Sequence, residues 1–188
     1  VDLPAPKVVV FDLDGTLVDS DAALVAPFVQ LGVDPADITF GHAVAEECAR
    51  LGISMSDYVG AYDTKVVEAF DGVQTALDAV PRWAVCSNKH PESGRAELER
   101  LGWEPEVAMF ADEFGWAHKS LPPVLERLAV GPAEVLMVGD SNGDLHCAEQ
   151  VGCDFAWAGW NPRVAEAGPG GTVLDRPSVL LWLLGIFD

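Results

Sequence analysis

The chain has 188 residues, 49% of them apolar, and sets 30 acidic side chains against 11 basic ones for a formal charge of −19. That is enough apolar material for a buried core, which excludes a disordered chain. The scarcity of basic surface argues against nucleic acid and anionic membranes as partners. The opening VDLPAPK lacks a basic stretch followed by an apolar one. The apolar run from Val179 to Phe187 is too short to cross a bilayer. A soluble cytoplasmic protein is the expectation. Cys48, Cys86, Cys147 and Cys153 form no CxxC pair, so they are expected to be reduced, mostly buried thiols.

In chain order, Val8 to Phe11 is a short apolar run without helical period, as expected of a strand buried on both faces. It ends in Asp12 and Asp14, whose spacing of two puts both carboxylates on one side, about 7 Å apart at Cα. Two such acids at the mouth of a buried strand repel each other, which calls for a cation or a shared proton. Helical spacing follows over 22–31 and 43–51, each closed by a glycine. A third helix, capped by Ser54 or Ser56, is predicted to run through Tyr58, Tyr62, Val66 and Phe70. This strand-free block is too long for a plain crossover and reads as an inserted subdomain.

From Gly72 onward the pattern alternates. Helices are predicted over 73–80, 92–101, 122–128, 145–151 and 178–184, and strands over 82–86, 107–110, 135–138, 155–158 and 172–174. The fold class expected is α/β, a Rossmann-like, mostly parallel sheet with helices on both faces and a small helical cap after the first strand. The core comprises 1–18 and 73–188, and the cap 19–72. In such sheets the site lies at the carboxyl ends of the strands. Three predicted strands end in polar groups: Asp12 and Asp14, Ser87 and Asn88, and Asp140 and Asp144.

Four segments together resemble the haloacid dehalogenase-like hydrolase superfamily, in its capped, phosphoglycolate phosphatase-like branch. They are Asp12-Leu13-Asp14-Gly15-Thr16, Ser87 with Asn88, Lys119 in HKSLPP, and Gly139 to Asp144. The resemblance implies that Asp12 is the nucleophile that forms an aspartyl-phosphate. Asp14 is implied as general acid and then base, with its backbone carbonyl on the metal. An acid at Asp14 argues for a phosphatase or phosphomutase over the dehalogenase branch. Asp140 is implied as a Mg²⁺ ligand, and Asp144 as holding a metal-bound water or orienting Lys119. Gly15, Thr16, Ser87, Asn88 and Lys119 are implied to hold the substrate's phosphoryl group.

A cap can close over a small phosphorylated metabolite and exclude water. Its hinges are expected near 18–21 and 70–72. Within it His42, Arg50 and Lys65 are the candidates for gripping an anionic part of the substrate, while Met55, Tyr58 and Tyr62 are expected in the cap core. Lys89, His90 and His118 also lie close to the motifs. The expected activity is Mg²⁺-dependent hydrolysis of a small phosphomonoester. Its rivals are a sugar phosphomutase on the same scaffold and a non-catalytic acidic interaction module.

Overall fold

A computed structural model describes residues 6–39 and 43–186. Among these, the first strand, β1 (Val8–Phe11), is wholly buried. It leads to β2 (Val18–Asp19) and then to three helices, α1 (Asp21–Gln30), α2 (Val44–Leu51) and α3 (Met55–Ala61). The chain returns through β3 (Glu68–Ala69), which pairs antiparallel with β2. Thereafter come α4 (Val73–Ala79), β4 (Trp83–Cys86), α5 (Pro91–Leu101), β5 (Val107–Met109), α6 (Pro122–Leu128), β6 (Val135–Gly139) and α7 (Asn142–Val151). The last elements are β7 (Asp154–Ala158), α8 (Pro162–Ala167), β8 (Val173–Leu174) and α9 (Val179–Leu183).

The main sheet has strand order β5-β4-β1-β6-β7-β8, and every pairing in it is parallel. β1 lies between β4 and β6, so its carboxyl end abuts those of the two strands that carry Ser87 and Asp140. The period-two alternation of strand side chains divides the core. Val9, Phe11, Val85 and Val138 pack with α4, α5 and α9 on one face. Val8, Val10, Cys86 and Met137 pack with α6 and α7 on the other. The expected α/β sheet with helices on both faces is present.

The helical insert differs from expectation in one respect. The predicted third helix stops at Ala61, and Val66 and Phe70 are not on it. The Asp63 carboxylate accepts a hydrogen bond from the Lys65 amide (2.9 Å), a local turn that competes with helix continuation. The chain then extends into β3, so a two-stranded ribbon of Val18–Asp19 and Glu68–Ala69 stands at the base of the insert. Ser54 caps α3 by accepting from the Asp57 amide at 3.0 Å. Phe28, Cys48 and Tyr58 form a small core within the insert. Val59, Tyr62 and Met55 pack against it. α7 begins earlier than predicted, because Ser141 and Asp144 cap one another there.

Candidate active site

The turn after β1 places the first two acids. Gly15 has φ +74°, a left-handed conformation, and a Cβ there would overlap the Asp140 carboxylate. Its amide donates to Val18 O at 2.9 Å, and its carbonyl accepts from Asn161 Nδ2 at 2.7 Å. Thr16 is fully buried, and its carbonyl accepts from Trp160 Nε1 at 2.7 Å. Neither residue lines the cavity described below. Both belong to the turn that lets Asp140 approach Asp12.

Asp12 is buried at the end of β1, with Oδ1 accepting from the Leu13 amide (2.7 Å) and lying 2.9 Å from Lys119 Nζ. Lys119 is also buried and sits 2.5 Å from Asp144 Oδ1. Burial works against the lysine's charge, but Asp12 and Asp144 together hold the ammonium well above its usual range. Asp144 is aimed by its helix: Oδ2 accepts from the Ser141 amide at 3.0 Å and from Ser141 Oγ at 2.7 Å. The close approach of Asp144 to Gly139 leaves no room for a side chain at 139. Asn88 Oδ1 accepts from the Lys119 amide at 2.7 Å, so the turn after β4 and the lysine loop are tied together.

A second ion-pair group holds Asp14. Lys89 Nζ lies 2.6 Å from Asp14 Oδ1 and 3.1 Å from Glu97 Oε2 on α5. It also donates to the Tyr62 hydroxyl from the insert at 2.8 Å, and that hydroxyl donates to Glu97 Oε1 at 2.7 Å. A third group surrounds Asp140: Arg163 Nη2 lies 2.8 Å from Asp140 Oδ2, and Arg163 Nε lies 2.5 Å from Asp21 Oδ2.

Between these groups lies a cavity of about 80 Å³. Asp12, Asp14, Ser87, Asn88, Lys89, Lys119, Asp140 and Arg163 line it, with Leu24 and Val44 of the insert opposite. It is well below the roughly 300–1,000 Å³ of drug-sized pockets, so a phosphoryl group and a small remainder fit it better than a large ligand. Asp12, Asp140 and Asp144 each offer a carboxylate oxygen within 4.8 Å of the others. Burial, opposed by Lys119, pushes the Asp12 carboxyl up to about 6. Burial and then the charge of Asp12 push Asp140 up to about 8. Hard oxygen donors whose negative charge is this disfavoured fit a divalent cation.

Six expected residues, Asp12, Asp14, Ser87, Asn88, Lys119 and Asp140, meet at the cavity, with Asp14 paired to Lys89. Asp144 stands behind Lys119. Arg50, a candidate substrate grip, instead engages Glu47 and the carbonyl of Asp37 within the insert. Lys65 is exposed and does not line the cavity. His42 lies outside the described residues. His118 sits 3.2 Å from Glu46, a surface contact between the insert and the lysine loop. His90 packs against Trp116.

Glu97, Tyr62 and Arg163 were not predicted at the site. Glu97 follows Ser93 and Gly94 by four and three residues on the buried stripe of α5, a stripe that these small and polar residues do not mark in the sequence. Arg163 follows the carboxyl end of β7, a fourth strand end of the kind that carries the other site residues.

Burial pushes Glu97 up to about 7 from an ordinary 4.5, although Lys89 opposes this. Between those values the folded protein holds a proton that the unfolded chain has released, so stability falls as pH rises through that window. Glu97→Gln removes this dependence. Urea unfolding is expected to show the variant gaining on wild type by on the order of 3 kcal/mol between pH 4.5 and pH 8. Parallel stability curves for the two proteins would contradict the assignment.

The chain has counterparts among known proteins. Residues 9–158 match the family model of the haloacid dehalogenase-like hydrolases. A phosphoglycolate phosphatase of Xylella fastidiosa is 28% identical, with 93% of this chain and 91% of that protein covered. An N-acetylmuramic acid 6-phosphate phosphatase of Pseudomonas aeruginosa is 24% identical over 95% of this chain and 94% of its own. A solved hydrolase from Pseudomonas syringae superposes with a TM-score of 0.74 at 18% identity, covering 97% and 99% of the two chains. That last likeness concerns the fold alone.

Proposed function

The chain belongs to the haloacid dehalogenase-like hydrolase family, and from that membership we propose that it hydrolyses a small phosphomonoester through an aspartyl-phosphate on Asp12. The observation that carries this reading is the pair of separately held acids. Asp12 is held by Lys119, Asp14 by Lys89, and both face one small cavity. The phosphoglycolate phosphatase and the N-acetylmuramic acid 6-phosphate phosphatase to which the chain is similar support the same class. A cytoplasmic metabolite is the substrate that such a protein would meet.

In the first half-reaction an Asp12 carboxylate oxygen forms a bond to phosphorus as the bond from phosphorus to the ester oxygen breaks. The departing oxygen takes a proton from the Asp14 carboxyl group. In the second, water attacks phosphorus, gives a proton back to Asp14, and releases inorganic phosphate and the Asp12 carboxylate. Lys119 neutralises charge on Asp12 and on the incoming phosphoryl oxygens, and Asp144 keeps it aimed. Ser87 and Asn88 close the phosphoryl end of the cavity. Asp12 and Asp140, with the Asp14 carbonyl, are the residues that would hold Mg²⁺. Bound there, the ion would offset the repulsion between the carboxylates and a phosphate dianion. The insert serves as a cap, and Leu24 and Val44 face the leaving group.

The test is hydrolysis of p-nitrophenyl phosphate and a panel of small phosphomonoesters. Turnover is expected with Mg²⁺, to fall about 100-fold or more after chelation by EDTA, and to return when Mg²⁺ is added back. Activity that survives chelation would overturn the metal assignment. No release of phosphate from any ester would overturn the phosphatase reading.

A further inference from the structure

We propose that Lys89 is a positioning residue for Asp14, held in place by Glu97 of the core and by the Tyr62 hydroxyl of the insert, so that the docked insert and the aimed acid are a single arrangement. The inference rests on the proposed role of Asp14 as general acid. Lys89 is buried, and its ammonium has three oxygen partners: Asp14 at 2.6 Å, the Tyr62 hydroxyl at 2.8 Å and Glu97 at 3.1 Å. Two of these contacts are hydrogen bonds, to Asp14 and to Tyr62, and the third is an ion pair with Glu97. It also lies 4.7 Å from the centre of the Tyr62 ring, out beyond the hydroxyl.

Each partner has a different origin. Asp14 follows β1, Lys89 follows β4, Glu97 lies within α5, and Tyr62 follows α3 of the insert. Glu97 is completely buried, and a carboxylate there without a cation would be costly, so it fixes Lys89 from the core side. The Tyr62 hydroxyl bridges the same two groups from the insert. Displacing the insert would break the bonds to Lys89 and Glu97 together. The lysine would keep Asp14 but lose one of the contacts that set its direction. None of these three residues needs to touch the phosphoryl group.

General acid assistance matters in proportion to how poor the leaving group is, whereas loss of fold affects all substrates alike. The ratio kcat/KM reports the first half-reaction, in which the leaving group departs. It is to be measured with Mg²⁺ on ethyl phosphate and on p-nitrophenyl phosphate. The proteins are wild type, Asp14→Asn, Tyr62→Phe, and the double variant Lys89→Met with Glu97→Gln, which removes both members of the buried Lys89–Glu97 pair together and leaves Asp14 without its cation. Asp14→Asn is expected to lower kcat/KM on the alkyl ester by about 100-fold or more relative to the aryl ester. The double variant should shift the same ratio by about 10-fold or more in the same direction, and Tyr62→Phe by about 3-fold or more.

If Asp14→Asn separates the two esters but the double variant lowers both equally, the inference is overturned and the proposed function stands. If Asp14→Asn does not separate them, the acid role of Asp14 fails and the inference fails with it. A wild-type protein inactive on both esters overturns the phosphatase reading and this inference together.

Discussion

Replacing Asp12 with asparagine is expected to lower turnover of every accepted phosphomonoester by about 10⁴-fold or more, the scale on which removal of a nucleophile acts. The carboxamide matches the carboxylate in shape but does not form the acyl phosphate. Loss of fold is not the reason expected. Asp12 is buried close to Asp140 and Asp144, and burial already disfavours its charge. A neutral side chain there relieves repulsion, and Lys119 keeps Asp144 as a partner at 2.5 Å. Without metal the variant should melt no lower than wild type. Acid quenching after incubation with labelled phosphoester should trap label on wild type and none on the variant. Residual turnover above about one hundredth of wild type would contradict the nucleophile assignment.

Lys119→Met is expected to cost both activity and stability. The lysine is the shared partner of two buried carboxylates, Asp12 at 2.9 Å and Asp144 at 2.5 Å. Breaking a buried pair from one side leaves an uncompensated charge, at a cost of about 3–5 kcal/mol. Turnover should fall by about 10²–10³-fold as a fixed positive charge is lost beside the attacking carboxylate. The double variant Lys119→Met with Asp144→Asn separates the two effects. It should recover most of the stability in urea unfolding and little of the turnover. A single variant as stable as wild type would mean that the carboxylates are solvated in its absence.

The two lysines that meet the acid pair were visible to different degrees in the sequence. Lys119 was legible because the segment HKSLPP precedes a predicted helix and belongs to a recognisable set of motifs. Lys89 stood beside a motif but had no marked partner. Its role depends on Glu97 eight residues later and on Tyr62 twenty-seven residues earlier, and no local pattern links the three. The same applies to Arg163, whose partners Asp21 and Asp140 are brought to it by the order of the strands.

The helical insert shows the converse problem. Tyr62, Val66 and Phe70 have a spacing of four that reads as one helix, yet Asp63 turns the chain and Glu68–Ala69 forms a strand. A strand of two residues has no period to detect, so pairing with Val18–Asp19 decided its conformation.

The sequence by itself determined the alternation of buried strands and helices, and hence a parallel α/β sheet, because apolar periodicity is a local property of the chain. It also placed Asp12, Ser87 and Asp140 at strand ends, where such a sheet opens. The tertiary structure alone decided that Lys89 serves Asp14 and Glu97 and that Arg163 serves Asp140. Ion pairing in a buried site depends on distances of 2.5–3.1 Å between segments far apart in the chain. Those distances follow from strand order and helix packing.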